Sequence, residues 1–206
     1  MHPALVVVDV QIDFCPGGAL AVKNGDEVVP RLNRVIKAFE HLGLPIFFTR
    51  DWHPADHISF RSRGGTWPPH CVQGTSGAEF HLDLRIPPAA LIISKGSSRD
   101  AEAYSGFQGT DLQERLKGLG VDGIFLGGLT TDYCVRETTL DARKAGFPVT
   151  VIEDCIRAVD AKPGDGDRAL AEMRRAGAKL AASSEVVKRL ASTQQYGHHP
   201  GPSGQS

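Results

Sequence analysis

The chain has 206 residues, and its 23 lysines and arginines against 24 acids give a net charge of −1. That balance leaves no basic face of the kind that nucleic acid or an anionic membrane surface requires. The length suits one domain whose core needs no disulfide staples, and no apolar run approaches the roughly 20 residues of a membrane helix.

The N-terminus runs straight into Ala4-Leu5-Val6-Val7-Val8-Asp9, without the basic segment and long apolar stretch of a secretory signal. Cys15, Cys71, Cys134 and Cys155 are widely spaced with no CxxC pair, so free thiols and a cytoplasmic protein are expected. Leu5 to Val10 is an apolar run broken by Asp9, as in a strand buried on both faces. Asp26 to Leu42 carries Val28, Val29, Leu32, Val35, Ile36 and Phe39 at helical spacing, with Gly43 as a stop. Strands follow at Pro45 to Thr49 and Ala90 to Ser94, then a helix from Leu112 to Leu119 and a strand from Gly123 to Leu126. Tyr133 to Ala145 reads as a helix, Pro148 to Ile152 as a strand, Asp167 to Ala176 as a helix and Lys179 to Ala182 as a final strand. The alternation predicts an α/β fold with a doubly wound, mostly parallel six-stranded sheet flanked by helices on both faces. Residues 1–192 are expected to form one domain. From about residue 193 the Gly, Pro, Ser, Gln and His composition predicts a flexible tail, with His198 and His199 solvated in it.

In such sheets the ligand crevice lies beyond the carboxyl ends of the strands. Asp9, Lys95 and Cys134 stand at or after three of those ends. Alone, Cys134 reads as an inert buried thiol, Asp9 as a strand-end hydrogen-bonding group and Lys95 as a surface lysine. Together they form a nucleophile, a proton acceptor and a cation, and the cost of burying unpaired charge makes their convergence economical. Cys134 is expected near a helix N-terminus capped by Thr131 or Asp132, where backbone amides favour a thiolate and can receive an oxyanion.

Asp51, His53, His57 and His70 form a second group. Asp-x-His puts two ligand-type side chains on one side of an extended segment, and mixed Asp/His donors suit Zn²⁺, Fe²⁺ or Mn²⁺. The plainer reading is a set of loop histidines in ordinary hydrogen bonds, and Cys71 beside His70 is a competing donor. Aromatics are only 7% of the chain, yet Phe14, Trp67, Tyr104 and Tyr133 fall within these segments, where as a group they suit stacking on a small flat ring.

At these residues the sequence strongly resembles the nicotinamidase/pyrazinamidase branch of the isochorismatase-like cysteine hydrolases. The resemblance lies in Val7-Val8-Asp9-Val10-Gln11-Ile12-Asp13-Phe14, Pro16-Gly17-Gly18-Ala19-Leu20, Asp51-Trp52-His53-Pro54-Ala55-Asp56-His57, Trp67-Pro68-Pro69-His70-Cys71-Val72, Lys95-Gly96, Tyr104-Ser105-Gly106-Phe107 and Gly127-Gly128-Leu129-Thr130-Thr131-Asp132-Tyr133-Cys134-Val135. It implies a catalytic triad of Asp9, Lys95 and Cys134. It implies metal ligation by Asp51, His53 and His70, with His57 a fourth ligand used by only some members. It also implies a cis peptide between Leu129 and Thr130, an oxyanion hole from the amides of Thr130 and Cys134, and a ring pocket of Phe14, Leu20, Trp67, Tyr104 and Tyr133.

The implied reaction is hydrolysis of nicotinamide, and of pyrazinamide, to the acid and ammonia through a thioester on Cys134. One divalent metal, Zn²⁺ foremost with Fe²⁺ or Mn²⁺ as alternatives, would bind or orient the ring nitrogen. The partner is then a small aromatic amide, with neither nucleic acid nor membrane, and a homo-oligomer is compatible with the sequence. The runner-up is another amidase of the superfamily, acting on a carbamoyl, ureido or maleamate-type substrate; a remoter one is a non-catalytic binding protein of the same fold. Isochorismatase itself, which cleaves a vinyl ether, would have no use for the cysteine or the metal. Two departures stand out. Ser97 to Glu102 is long and charged and could alter access, and Tyr133 falls where the residue type varies.

Overall fold

A computed structural model of the chain describes residues 2–196. Six strands form one sheet: β1 (Pro3–Val8), β2 (Ile46–Asp51), β3 (Leu91–Lys95), β4 (Gly123–Leu129), β5 (Val149–Arg157) and β6 (Lys179–Ala181). Five helices pack on it: α1 (Val28–His41), α2 (Leu112–Gly118), α3 (Arg136–Lys144), α4 (Asp165–Arg175) and α5 (Ser183–Tyr196). Every strand pair is parallel, so the expectation of a mostly parallel sheet is met in full.

Alternation along β1 sorts the core into two layers. Leu5 and Val7 pack with the apolar face of α1 (Val28, Leu32, Val35, Ile36, Phe39) and with Val186 and Leu190 of α5. Ala4, Val6 and Val8 pack on the opposite side with Leu112 and Leu116 of α2, Ala142 of α3 and Met173 of α4. Each such Val or Leu contributes about 1.5–3 kcal/mol relative to exposure. A strand buried on both faces is therefore aliphatic throughout.

The strand order is β3-β2-β1-β4-β5-β6. The chain builds outward from β1 to β3, then returns to the other side of β1 and builds outward again. The carboxyl ends of β1 and β4 thus flank the point where the order reverses, where a crevice forms. Gly128 allows β4 to lie against β1 there. Its φ is +127°, and a β-carbon would run into the backbone carbonyl of Val8. Among the described residues, no helix is long and apolar enough to cross a membrane. Helix α5 extends to Tyr196, four residues into the segment expected as a tail. The rest of that segment, with His198 and His199, lies outside the described residues.

Candidate active site

The first strand stops at Val8 because Asp9 takes a φ of +48° and turns the chain away from the sheet. Its carboxyl is held at the crevice: the Thr49 hydroxyl donates to Oδ1 at 2.6 Å, and Oδ2 lies 2.8 Å from Lys95 Nζ. Oδ2 receives no well-aligned hydrogen bond, so the Lys95 contact is an ion pair and a lone pair remains for another proton. Lys95, the last residue of β3, also bonds Asp51 Oδ1, contacts the Ala103 carbonyl at 3.3 Å and lies 3.4 Å from Cys134 Sγ. One ammonium thus gathers two carboxylates and a thiol, and all four residues are at most 5% exposed. Acceptor atoms of Asp9, Asp51 and Cys134 lie within 4.8 Å of one another. This grouping is no vacant metal site, since the Lys95 cation already lies against all three.

Burial sets the protonation of the group. It pushes the Asp9 carboxyl above the usual carboxylate range, with Lys95 opposing, and it pushes the Cys134 thiol well up, again against Lys95. For Lys95 burial works against the charge, but Asp51 and Asp9 hold its pKa well above normal. The resting arrangement is a neutral thiol, a fixed cation and a carboxyl raised toward the range useful for moving protons.

Asp51 joins this group to a second one. Burial would raise its carboxyl, but Lys95 and His53 hold it well below the ordinary range. While Oδ1 faces Lys95, Oδ2 lies 3.4 Å from His53 Nε2 and 3.9 Å from His70 Nε2. Each imidazole gives its other nitrogen to a backbone carbonyl, His53 Nδ1 to Gly96 at 2.9 Å and His70 Nδ1 to Pro68 at 2.8 Å. A carbonyl only accepts, so Nδ1 carries a proton in both rings and both Nε2 atoms face Asp51, each with a lone pair to offer when its ring is neutral. Tetrahedral ligands at about 2.1 Å from one ion stand roughly 3.4 Å apart, close to the spacings here. The three residues fit a divalent metal. Gly96 makes room for this: at φ +61° a β-carbon would sit 2.5 Å from His53 Cε1.

Between the two groups opens a small cavity lined by Phe14, Leu20, Trp67, Tyr104, Tyr133 and Val159 together with Asp51, His70, Thr130 and Cys134. Larger hollows lie between α3 and α4 and at the amino ends of β4 and β5, and neither is lined by any of the six reactive residues. The aromatic walls brace one another. Trp67 Nε1 donates to the Tyr104 hydroxyl at 3.0 Å, and Trp67 and Tyr104 meet the Tyr133 ring at 5.1 and 5.6 Å.

All five expected pocket residues line this cavity, whereas His57 stays out of the metal group. Its Nε2 donates to the Ala101 carbonyl at 3.0 Å and its Nδ1 accepts from the Ser59 hydroxyl at 2.7 Å, leaving no lone pair for an ion. It stacks on His53 at 4.1 Å and backs that ring instead. Cys71 is buried and belongs to neither group among the described residues.

The expected capping of Cys134 also differs. Residues Thr131–Val135 form a wide π-helical turn entered from Thr130, and α3 begins only at Arg136. Asp132 caps nothing there; its carboxylate accepts the amides of Val159 and Asp160, pinning the loop that brings Val159 to the cavity. The Leu129–Thr130 peptide is cis, as the resemblance implied. Ser97 to Glu102 does not line the cavity; Ala101 bonds His57 and Arg99 pairs with Asp56, so the segment lies along the outer side of the His53 loop. Gln11, Thr49 and Val159 also serve the site without a signal in the sequence. None has a reactive side chain, and each acts through a contact distant in sequence.

The chain matches the isochorismatase domain over residues 3–185. It is 40% identical over 198 residues to a nicotinamidase of Escherichia coli (strain K12), covering 86% of this chain and 93% of that protein. Among solved structures it resembles pyrazinamidase of Pyrococcus horikoshii in complex with zinc, at 51% identity and a TM-score of 0.85, over 88% of this chain and 99% of that one. It also resembles PnC1 from L. infantum in complex with nicotinate, at 37% identity and a TM-score of 0.82, over 88% of this chain and 93% of that one.

Proposed function

We propose, because this chain belongs to the isochorismatase domain family, that it is a nicotinamidase that hydrolyses nicotinamide, and pyrazinamide, to the acid and ammonia. The observation that carries this reading is an aromatic-lined cavity with the Asp9–Lys95–Cys134 group and the Asp51–His53–His70 group both reaching it. Names of the similar proteins support it: a nicotinamidase, a pyrazinamidase with zinc, and a protein holding nicotinate.

The chemistry follows from the side chains. Cys134 Sγ attacks the carboxamide carbon as its proton passes to the free lone pair on Asp9 Oδ2. The amides of Thr130 and Cys134 receive the oxyanion, each worth on the order of 3 kcal/mol in comparable sites. Asp9 then gives the proton to the departing nitrogen; ammonia leaves and a thioester remains on Cys134. Asp9 next takes a proton from an attacking water, the second tetrahedral species collapses, and the thiol is restored as the acid departs. Lys95 stays protonated throughout, holding Asp9 in place and stabilising negative charge on sulfur. Phe14, Trp67, Tyr104 and Tyr133 enclose the ring and exclude water. Asp51, His53 and His70 would hold a divalent ion, Zn²⁺ foremost, which when bound supplies an electron-pair acceptor suited to a pyridine or pyrazine nitrogen.

An ammonia-release assay on nicotinamide, pyrazinamide, a ureido compound and maleamate tests the substrate, with and without a chelator. Turnover of the two aromatic amides that falls on chelation and returns with Zn²⁺ is expected. A preference for ureido or maleamate substrates contradicts the ring assignment, and full activity after verified metal removal contradicts the metal assignment. Silence on every amide favours a binding protein of the same fold.

A further inference from the structure

At Asp51 the second strand continues past the point where its neighbour has left. β1 pairs with β2 only as far as Val8 against Thr49, and the last rung is the Asp9 amide donating to the Thr49 carbonyl at 3.1 Å. Main-chain groups two residues apart on a strand face the same side, so the Asp51 N–H and C=O point into the space β1 has vacated. Trp52 faces the other way and donates to Lys95 O at 2.9 Å. Left without partners, these two buried backbone groups would each carry an uncompensated desolvation penalty.

The side chain of Gln11 fills that place. Its Oε1 accepts the Asp51 amide at 2.8 Å, and its Nε2 donates to the Asp51 carbonyl at 2.8 Å and to the Ala78 carbonyl at 2.8 Å. Gln11 is fully buried. A carboxamide carries the same donor and acceptor as a peptide group, so Gln11 acts as one further peptide of the missing strand. It holds both main-chain atoms of a residue whose carboxylate faces Lys95 through one oxygen and the two histidines through the other.

We infer that Gln11 is a positioning residue for the candidate metal centre. It sets where Asp51 Oδ2 stands relative to His53 and His70, and so tunes how tightly the three hold an ion. The inference rests on the metal reading given above. It concerns Gln11 alone, whose side chain touches neither cavity nor ligand atoms.

The test is Zn²⁺ affinity, measured by competition with a chromophoric chelator, on wild type, Gln11→Met, Gln11→Glu and Val35→Ala. Both Gln11 variants keep close to the native volume, and Gln11→Glu retains an acceptor for the Asp51 amide while turning a carboxylate on two carbonyls. Val35 lies in the core on α1, with no hydrogen bond or ion pair to Asp51, and its truncation is expected to destabilise the fold. Roughly 10- to 100-fold weaker Zn²⁺ binding is expected for the Gln11 variants, the range found when groups behind a metal ligand are removed, with native affinity in Val35→Ala. Gln11 variants that bind Zn²⁺ like wild type, or a Val35→Ala variant weakened as much as they are, overturn the inference. A wild-type protein that binds no Zn²⁺ removes the metal reading itself, a different and separately visible outcome.

Discussion

Cys134→Ala is expected to abolish ammonia release from nicotinamide while the protein stays folded and keeps its metal content. Among the described residues lining the cavity, Cys134 carries the one thiol. It lies 3.4 Å from the Lys95 ammonium and, with Asp9, within the same 4.8 Å group. Removal of a nucleophile from a working catalytic group lowers turnover by roughly 10⁶-fold, against about 10²–10³-fold for one oxyanion donor. Cys134 therefore outweighs Thr130 by a margin that ordinary kinetics can read. The substitution deletes one small group from a wall already open to the cavity, and Asp51, His53 and His70 do not depend on it. Ammonia release and bound Zn²⁺ measured on one preparation separate the two effects; substantial turnover in Cys134→Ala contradicts the mechanism.

Lys95→Met should produce the largest loss of stability of any substitution at the site. Its ammonium is the counter-charge for Asp9 and Asp51, all three buried. Breaking a buried pair by removing one partner costs about 3–5 kcal/mol, because the other charge is left uncompensated. That is a large share of the roughly 5–15 kcal/mol that holds a typical domain together. The pH dependence fixes the cause. In the wild type Asp51 is held below its ordinary pKa, so its contribution is present at neutral pH and is lost as pH falls through the folded value. Without the ammonium Asp51 rises above its unfolded value and Asp9, already raised, rises further, and a raised carboxyl stabilises only below the unfolded pKa. The deficit of Lys95→Met against wild type should therefore be greatest at neutral pH and shrink as pH falls into the carboxylate range. Urea unfolding at neutral and mildly acidic pH reads this directly. An equal deficit at both would mean that lost packing, rather than stranded charge, is responsible.

The parts of the molecule readable from sequence are those where one physical demand dominates. A strand covered on both faces has to be aliphatic, which exposes β1 at Leu5 to Val8. A parallel sheet puts the carboxyl ends of its strands on one edge, which is why Asp9, Lys95 and Cys134 could be joined from the sequence. The strand ends themselves were less visible. β2 runs on through Arg50 and Asp51, and β5 through Glu153 and Asp154 to Arg157, because backbone pairing tolerates polar side chains that an apolar run does not contain. Helix α5, with Val186 and Leu190 buried against α1, was hidden by the polar residues that share its sequence. The contacts of His57 were not legible in the sequence for a related reason. Spacing identifies a histidine near a metal group but not which carbonyl takes its proton, and Ala101, 44 residues away, takes it here. Gln11 and Val159 are the same case: their effect depends wholly on where the chain returns.

Central to the proposed chemistry is a covalent bond between Cys134 and the acyl group of the substrate. Mixing enzyme with excess nicotinamide, quenching in acid within one turnover and mapping the mass of the peptide containing Cys134 tests it most directly. The expected result is a gain equal to one nicotinoyl group in place of the thiol hydrogen, absent in Cys134→Ala and absent when nicotinamide is omitted. Rapid turnover with Cys134 unmodified at every quench time, or the acyl group found on another residue, would contradict it.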